Sequence, residues 1–169
     1  DDIWLPHKLA DQVVILESHP EAGMLYGNSL YWYSWTQKPK DLRRDFVPRL
    51  GVQPNTLIQP PRLLPQFLHG KAAVPCPCSI LVRRTAIREL GGFDEKFIAV
   101  QKIYEDQAFY AKMGLRFPVY VSGVCWDQYR QHPDASMAIA RTKGHLIPAR
   151  KFFLLWLSGY LVEQGEEDP

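Results

Sequence analysis

The sequence predicts an α/β domain in which helices are layered on a sheet. Short apolar runs rich in aromatic and β-branched residues alternate along the chain with segments whose apolar residues recur at helical spacing. The length of 169 residues suits one compact domain. Strands and helices that alternate in this way are typical of layered α/β architectures, because each layer buries the apolar face of the other.

The first predicted helix covers residues 7–18. Leu9, Val13 and Leu16 recur at helical spacing and predict the stripe that this helix buries against the rest of the domain. The aromatic segment 23–35 follows and predicts a strand, with a bend or a second strand beginning near residues 27–29.

The middle of the chain is less regular. Residues 37–62 carry many prolines and charges without a firm periodicity, and this length indicates a functional loop or an insertion rather than a simple connection. The next predicted elements are a short amphipathic helix at 62–69, a buried strand at 78–82 and a helix at 83–90 that Gly91 ends.

The last third predicts four further elements. An acidic helix spans about 105–113 with Gly114 as its cap, and strands follow at 117–121 and 124–129. A long helix at 148–163 closes the pattern. Its apolar stripe favours packing on the domain. The alternative is a peripheral membrane helix, since basic residues stand upstream.

Composition excludes several classes of function. The net charge of +2 and the absence of a basic block argue against a nucleic-acid partner. No apolar run approaches the roughly 20 residues of a membrane span. The chain has three cysteines, Cys76, Cys78 and Cys125. Their odd number and close spacing favour a reduced, cytoplasmic protein over a disulfide scaffold, and the lack of a second cysteine pair argues against a closed zinc site.

An acidic pair at the start of a helix is the strongest candidate for chemistry. Glu105 and Asp106 open the predicted helix, where the amide dipoles favour negative charge. An ionised carboxylate near the glycine-rich turn at 91–97 is a candidate general base. The alternative is a structural helix start, because acidic residues are common in the first turn.

Four segments carry a resemblance to a known family. The segments are Asp1-Asp2-Ile3-Trp4-Leu5-Pro6, then Cys78 to Arg84 with Gly91-Gly92-Phe93-Asp94, then Glu105-Asp106, and last Tyr129-Arg130-Gln131-His132-Pro133. In this order and at these intervals they resemble the second half of family 2 glycosyltransferases, which have the GT-A (nucleotide-diphospho-sugar transferase) fold. The match begins inside the Asp-x-Asp metal motif.

The resemblance implies a role for each matched residue. Asp1 and His132 would bind a divalent metal, Mg²⁺ or Mn²⁺, which neutralises a diphosphate leaving group. Asp2 and Arg130 would contact the donor and its phosphates. Asp106 would be the base, with Glu105 orienting it or contacting the acceptor. The acceptor side would be shaped by Gly91, Gly92, Phe93 and Asp94.

The resemblance also implies an organisation and a function. Residues 1–140 would form the metal and acceptor side of a GT-A domain, with 141–169 as a helix packed on it. The nucleotide-binding half would be missing, so that the isolated fragment is expected to be inactive. The parent protein would transfer a sugar from a nucleotide donor to a glycan, lipid-linked or protein acceptor, with inversion, in polysaccharide biosynthesis. The expected location is the cytoplasm or the membrane surface.

Two alternatives remain open at this stage. One is a non-catalytic binding or scaffold module with the same fold. The other is a metal-dependent phosphoester hydrolase that uses Asp1, Asp2 and His132. The transferase hypothesis makes a spatial demand, since the opening acids Asp1 and Asp2 must converge with Asp106 and His132 on one cleft although they lie far apart in the chain.

Overall fold

The computed structural model describes residues 1–165 and has a mixed, curled β-sheet flanked by helices. The strands are β1 (Ile3–Trp4), β2 (Met24–Trp32), β3 (Thr56–Ile58), β4 (Leu81–Val82) and β5 (Val119–Arg130). The helices are α1 (Lys8–Ser18), α2 (Leu63–Leu68), α3 (Arg84–Glu89), α4 (Glu105–Arg116), α5 (Ser136–Thr142) and α6 (Leu146–Glu163). Three 3₁₀ turns lie at Ser34–Thr36, Pro77–Ser79 and Ala99–Tyr104.

Strands β2 and β5 form the centre of the sheet. They run parallel, and β4 pairs antiparallel with the other edge of β2. Both β1 and β3 pair antiparallel with β5, β1 near its carboxyl end and β3 near its start. The carboxyl end of β5 therefore lies beside the first residues of the chain, which brings Asp1 and Asp2 close to Arg130.

The core lies between the sheet and α4. Met24, Tyr26, Phe109, Met113 and Val121 are fully buried there, because they project from the two central strands and from one face of the helix. The aromatic and aliphatic side chains in this layer remove large apolar areas from water, which is the main favourable term in folding.

Helix α6 packs on the same domain through one face. Phe153 and Leu157 are buried against Phe97 and Ala108, and Phe153 stacks on Tyr104 with ring centroids 5.4 Å apart. The predicted long helix is confirmed, although it begins two residues earlier than expected, at Leu146. No helix in the described part of the chain has the length and apolarity needed to cross a membrane.

The predicted buried stripe of α1 is wrong. Leu9 and Val13 are 48% and 44% exposed, and of the three leucine and valine positions only Leu16 is buried. Lys8 and Gln12 turn inward instead, and hydrogen bonds replace their contacts with water. Lys8 Nζ donates to Gln12 Oε1 at 2.9 Å, and Gln12 Nε2 donates to the Ser79 carbonyl at 2.8 Å. Buried polar groups persist where hydrogen bonds replace the lost water.

A buried carboxylate completes the polar layer below α1. Asp127 on β5 is fully buried, and the Cys78 thiol donates to its Oδ1 at 3.3 Å. Burial raises the pKa of Asp127 and lowers the pKa of Lys8, while the mutual attraction of these two residues opposes both shifts. Periodicity cannot reveal such a layer, since the inward positions are polar in the sequence.

Three strand predictions change in the structure. The run 78–82 is extended only at Leu81–Val82, because Pro77–Ser79 forms a 3₁₀ turn in which the Ser79 N–H donates to the Cys76 carbonyl. The two strands expected at 117–121 and 124–129 are one continuous strand, β5, because its pairing with β2 extends past Gly123. Segment 23–35 is a single strand only over Met24–Trp32, with irregular register around Asn28, and the 3₁₀ turn Ser34–Thr36 follows it.

Helix α4 runs past its predicted cap. Gly114 lies inside the helix and is buried, and α4 continues to Arg116, where Phe117 takes an extended conformation before Pro118. Two strands and one helix were not predicted at all. These elements are β1, α5, and β3, which lies within the irregular segment 37–62. Each is so short that strand pairing or helix packing stabilises it more than its own sequence does.

Candidate functional site

A cavity of about 800 Å³ opens where the carboxyl end of β5 meets the start of α4. Its walls are formed by Asp1, by the 3₁₀ turn Ala99–Tyr104, by the first turn of α4 and by the segment that leads into α5. Asp1, Glu105, Asp106, Arg130 and His132 all line it. Below we call it the candidate cavity.

Asp1 and His132 meet on one wall of the candidate cavity. His132 Nε2 lies 2.7 Å from Asp1 Oδ2. The position follows from the fold, since β1 pairs with the end of β5 and His132 comes two residues after that strand. A carboxylate oxygen and an imidazole nitrogen are both ligand types for divalent cations such as Mn²⁺.

Arg130 is held in place from several sides. Its Nε donates to the Asp1 carbonyl at 2.8 Å, and its guanidinium lies 4.8 Å from the ring centroids of both Trp32 and Trp35. Stacking on aromatic faces and a fixed hydrogen bond orient the planar group. Within residues 1–165 no hydrogen bond occupies its terminal Nη1 and Nη2 atoms, so they can donate to an anion in the cavity.

Asp2 has a different environment from Asp1. Its Oδ1 accepts a hydrogen bond from the Arg130 backbone N–H at 2.9 Å, which fixes the start of the chain to the end of β5. Asp2 does not line the candidate cavity. Its geometry therefore gives it a positioning role for Asp1 and Arg130, whereas direct donor contact stays a prediction.

Asp106 is the most perturbed carboxylate on the cavity wall. Burial raises its pKa to about 6, the negative charge of Glu105 adds to the increase, and the hydrogen bond from the Gln107 N–H opposes it. A carboxylate with a pKa near 6 is mostly ionised at neutral pH and still accepts a proton readily. Glu105 lines the same cavity beside it.

The glycine turn lies outside the candidate cavity. None of Gly91, Gly92, Phe93 and Asp94 belongs to its lining. Phe93 stacks on Phe109 of α4 with centroids 4.8 Å apart, and Asp94 Oδ2 accepts a hydrogen bond from Trp156 Nε1 at 2.8 Å. These contacts tie α4 to α6 and so support the helix that carries Asp106. An acceptor-side role for the four residues stays a prediction.

Several cavity residues were given no functional role from the sequence. Lys102, Tyr129, Asp134 and His145 line the candidate cavity together with the predicted residues. Tyr129 and Asp134 flank the Arg130–His132 segment, so their proximity to it was a usable signal. Lys102 and His145 had no such signal in the sequence, because a 3₁₀ turn and the residue before α6 bring them to the candidate cavity.

A second groove adjoins the candidate cavity. It has a volume of about 720 Å³ and shares Asp1, Arg130, His132 and Asp134 with it. The remaining walls come from the segment after β2 and from Arg141 at the end of α5. Below we call it the basic groove, since five lysine and arginine side chains line it against three carboxylates.

Asp1 and His132 form a neighbouring pair of side chains of metal-binding type on the cavity wall. Among residues 1–165 no group of three or more His, Cys, Asp and Glu side chains converges in a way that could hold a metal ion. Asp1 and His132 provide two donor atoms on the cavity wall. Mg²⁺ is commonly held by one or two carboxylates plus substrate phosphates and water, so a two-residue set is compatible with a metal that binds together with a diphosphate.

Two comparisons with known proteins gave no match. No protein-family model matches the chain, and no curated protein matches it either. The functional assignment therefore depends on the cavity itself. Its arrangement places a proton acceptor, Asp106, in one space with the Asp1–His132 pair and the oriented guanidinium of Arg130.

Proposed function

We propose that this chain carries the catalytic base and the metal side of a glycosyltransferase that uses a nucleotide-diphosphate sugar and inverts the anomeric configuration. The observation that carries the proposal is the shared cavity. Asp106, whose pKa is raised to about 6, lines the same 800 Å³ space as the Asp1–His132 pair and Arg130. The sheet is also compatible with the GT-A fold that the motif order implies.

Asp106 is the proposed general base. An acceptor hydroxyl gives its proton to the Asp106 carboxylate while its oxygen forms a bond to the anomeric carbon of the donor. The bond from that carbon to the phosphate oxygen breaks, and the nucleoside diphosphate leaves with the electron pair. A single displacement of this kind inverts the anomeric carbon. Positioned proton transfer contributes about 10²- to 10⁴-fold in rate.

The leaving group develops negative charge, which Arg130 and a metal would stabilise. Arg130 is held by Asp1, Trp32 and Trp35, so its terminal nitrogens are preorganised for phosphate oxygens. We propose that Asp1 and His132 hold Mg²⁺ or Mn²⁺, which when bound supplies positive charge beside the diphosphate. Asp2 fixes this wall by accepting the Arg130 N–H.

The test is a donor screen on the full-length gene product. Nucleoside diphosphate release is measured with a panel of nucleotide sugars and acceptors, for the wild type, Asp106→Asn and the exposed control Glu17→Gln. We expect transfer to fall by at least about a hundredfold in Asp106→Asn while the donor still binds. The control should behave as the wild type. Full transfer in Asp106→Asn would remove the proposed base, and no turnover with any donor would favour a non-catalytic module.

A further inference from the structure

We infer that the basic groove binds the acceptor and selects acceptors that carry an anionic group close to the reacting hydroxyl. The inference rests on the proposed function, because it names the acceptor class for the same site. It starts from the continuity of the two spaces, which share Asp1, Arg130, His132 and Asp134. A molecule lying in the groove can therefore extend into the cavity that Asp106 lines.

The basic groove has more positive than negative side chains in its lining. Lys38, Lys40 and Arg141 line it, and within residues 1–165 none of the three forms an ion pair with a carboxylate. One of the three lining carboxylates, Asp41, already pairs with Arg44 at 2.9 Å. The positive side chains thus exceed what the lining itself neutralises, which favours an anionic ligand.

Two guanidinium groups of the basic groove are preorganised. Arg44 lies 4.0 Å from the ring centroid of Tyr33, and Arg130 lies 4.8 Å from that of Trp35. The Trp35 ring is itself fixed, because its Nε1 donates to the Gln131 carbonyl at 3.0 Å. Stacked guanidinium groups lose less freedom when they bind a carboxylate or a phosphate than lysines free in solvent do.

Part-buried hydrogen bonds to two carboxylates order the wall of the basic groove around the 3₁₀ turn Ser34–Thr36. Asp45 accepts from the Tyr33 N–H at 2.7 Å, the Ser34 N–H at 2.8 Å and the Ser34 hydroxyl at 2.6 Å. Asp41 accepts from the Thr36 hydroxyl at 2.8 Å. The segment after β2 therefore presents Lys38 and Lys40 from a fixed turn, which is how a binding loop differs from a loose connection.

The ligand chemistry that fits is a sugar bearing a carboxylate or a phosphate. Both groups accept bidentate hydrogen bonds from arginine and are attracted by lysine. The reacting hydroxyl must come from the same molecule, since the groove continues into the candidate cavity. The two anionic sources differ in charge, so separate probes distinguish them.

The experiment measures binding to the full-length protein without a donor, so that its outcome does not depend on turnover. The probes are an oligosaccharide ending in glucuronic acid, the same oligosaccharide with that carboxylate reduced to a hydroxymethyl group, and its counterpart with a 6-phosphate on the terminal sugar. The groove variant is Lys38→Gln/Lys40→Gln/Arg141→Gln. The control variant is Lys71→Gln/Arg88→Gln/Lys151→Gln, which removes three charges outside both spaces.

We expect one or both anionic probes to bind and the neutral probe to bind at least about tenfold more weakly, since each exposed charge contact contributes roughly a factor of two to three. The groove variant should bind the anionic probe about tenfold more weakly than the wild type does, whereas the control variant should bind it as the wild type does. Added salt should weaken binding of the anionic probe. Whether the carboxylate or the phosphate probe binds more tightly identifies the anionic group. Equal thermal midpoints of the two variants show that both are folded.

Three results would overturn the inference. They are equal binding of charged and neutral probes, equal losses in the two triple variants, and a groove variant that loses affinity for pyrophosphate instead of for the anionic sugar. Failure of the proposed function is a different outcome. In that case the anionic probe binds through the groove, while the full-length protein transfers sugar from no donor.

Discussion

His132 Nε2 lies 2.7 Å from Asp1 Oδ2, although one residue opens the chain and the other follows its longest strand. The contact exists because β1 pairs antiparallel with the carboxyl end of β5, with Trp4 opposite Asp127. It joins two donor atoms that the motif pattern assigned to one metal. The same pairing brings the Asp1 carbonyl to Arg130, so one short edge strand organises a whole wall of the candidate cavity.

The rate of sugar transfer should depend on the ionisation of Asp106. Its pKa is raised to about 6, and only the deprotonated carboxylate can accept the acceptor proton. At saturating metal we therefore expect kcat/KM to rise about tenfold per pH unit below pH 6 and to level off above it. The measurement is initial rate against pH for the full-length protein. A flat profile between pH 5 and 8 would contradict the role of Asp106.

Asp106→Asn should make the fold more stable at neutral pH. The folded pKa of about 6 exceeds the usual 3.8, so the native state binds the proton more tightly and wild-type stability falls as pH rises from 4 to 6. At pH 7 the variant should gain up to about 3 kcal/mol over the wild type, and this gain should shrink towards pH 4. Urea denaturation at both pH values measures it. A gain that does not change with pH would show that ionisation is not the cause.

Chelation should abolish transfer, and His132 should influence which metal restores it. Imidazole suits Mn²⁺ better than Mg²⁺, which prefers oxygen ligands. After treatment with EDTA we expect either metal to restore wild-type turnover. His132→Asn should lose more of the Mn²⁺-supported rate than of the Mg²⁺-supported rate. Turnover that survives EDTA would remove the metal from the proposal, and equal losses with both metals would argue against ligation by His132.

The two leucines of α1 should differ in their contribution to stability. Leu16 is 6% exposed whereas Leu9 is 48% exposed, although the apolar spacing placed both in the core. Leu16→Ala should cost about 2–5 kcal/mol of unfolding free energy and Leu9→Ala less than about 1 kcal/mol. Urea denaturation of the two variants measures the difference. Equal costs would mean that α1 buries the face that its periodicity predicted.

Two glycines provide a matched test of the packing at the centre of the sheet. A Cβ on Gly27 would lie 2.4 Å from the Val124 carbonyl oxygen and 2.8 Å from the Trp126 ring, whereas a Cβ on Gly159 in α6 would meet nothing within 4 Å. Gly27→Ala should destabilise the protein by about 1–3 kcal/mol through overpacking. Gly159→Ala should stabilise it by roughly 0.5–1 kcal/mol, because alanine favours helix. Opposite signs of the change in thermal midpoint are the expected result.

The sequence predicted elements well where local patterns are strong. Helices α1, α4 and α6 lie near their expected ranges, and the central strand β2 falls within the aromatic segment 23–35. The sequence predicted less well the strands that depend on pairing with another strand. Strand β5 is continuous because β2 pairs along it, and residues 3–4 form a strand because they pair with β5.

The site shows the same division. The sequence pointed to Asp1, Arg130 and His132 through the resemblance of its motifs to a known family, and to Asp106 also through its place in the first turn of a helix. The acceptor-side position that the resemblance implies for residues 91–94 stays a prediction, and the contacts with Phe109 and Trp156 show in addition that this turn supports α4. Residues with no local signal, such as Lys102, could not be found from the sequence.

What the sequence alone determined is the class of fold and the chemical type of each candidate residue, since both are encoded in short-range spacing and side-chain identity. Only the tertiary structure decided that Asp1, Asp106 and His132 share one cavity, that α1 buries Lys8 and Gln12, and that a basic groove continues from the cavity. The physical reason is that pairing between distant strands and burial of polar groups depend on partners far away in the chain. No window of neighbouring residues contains that information.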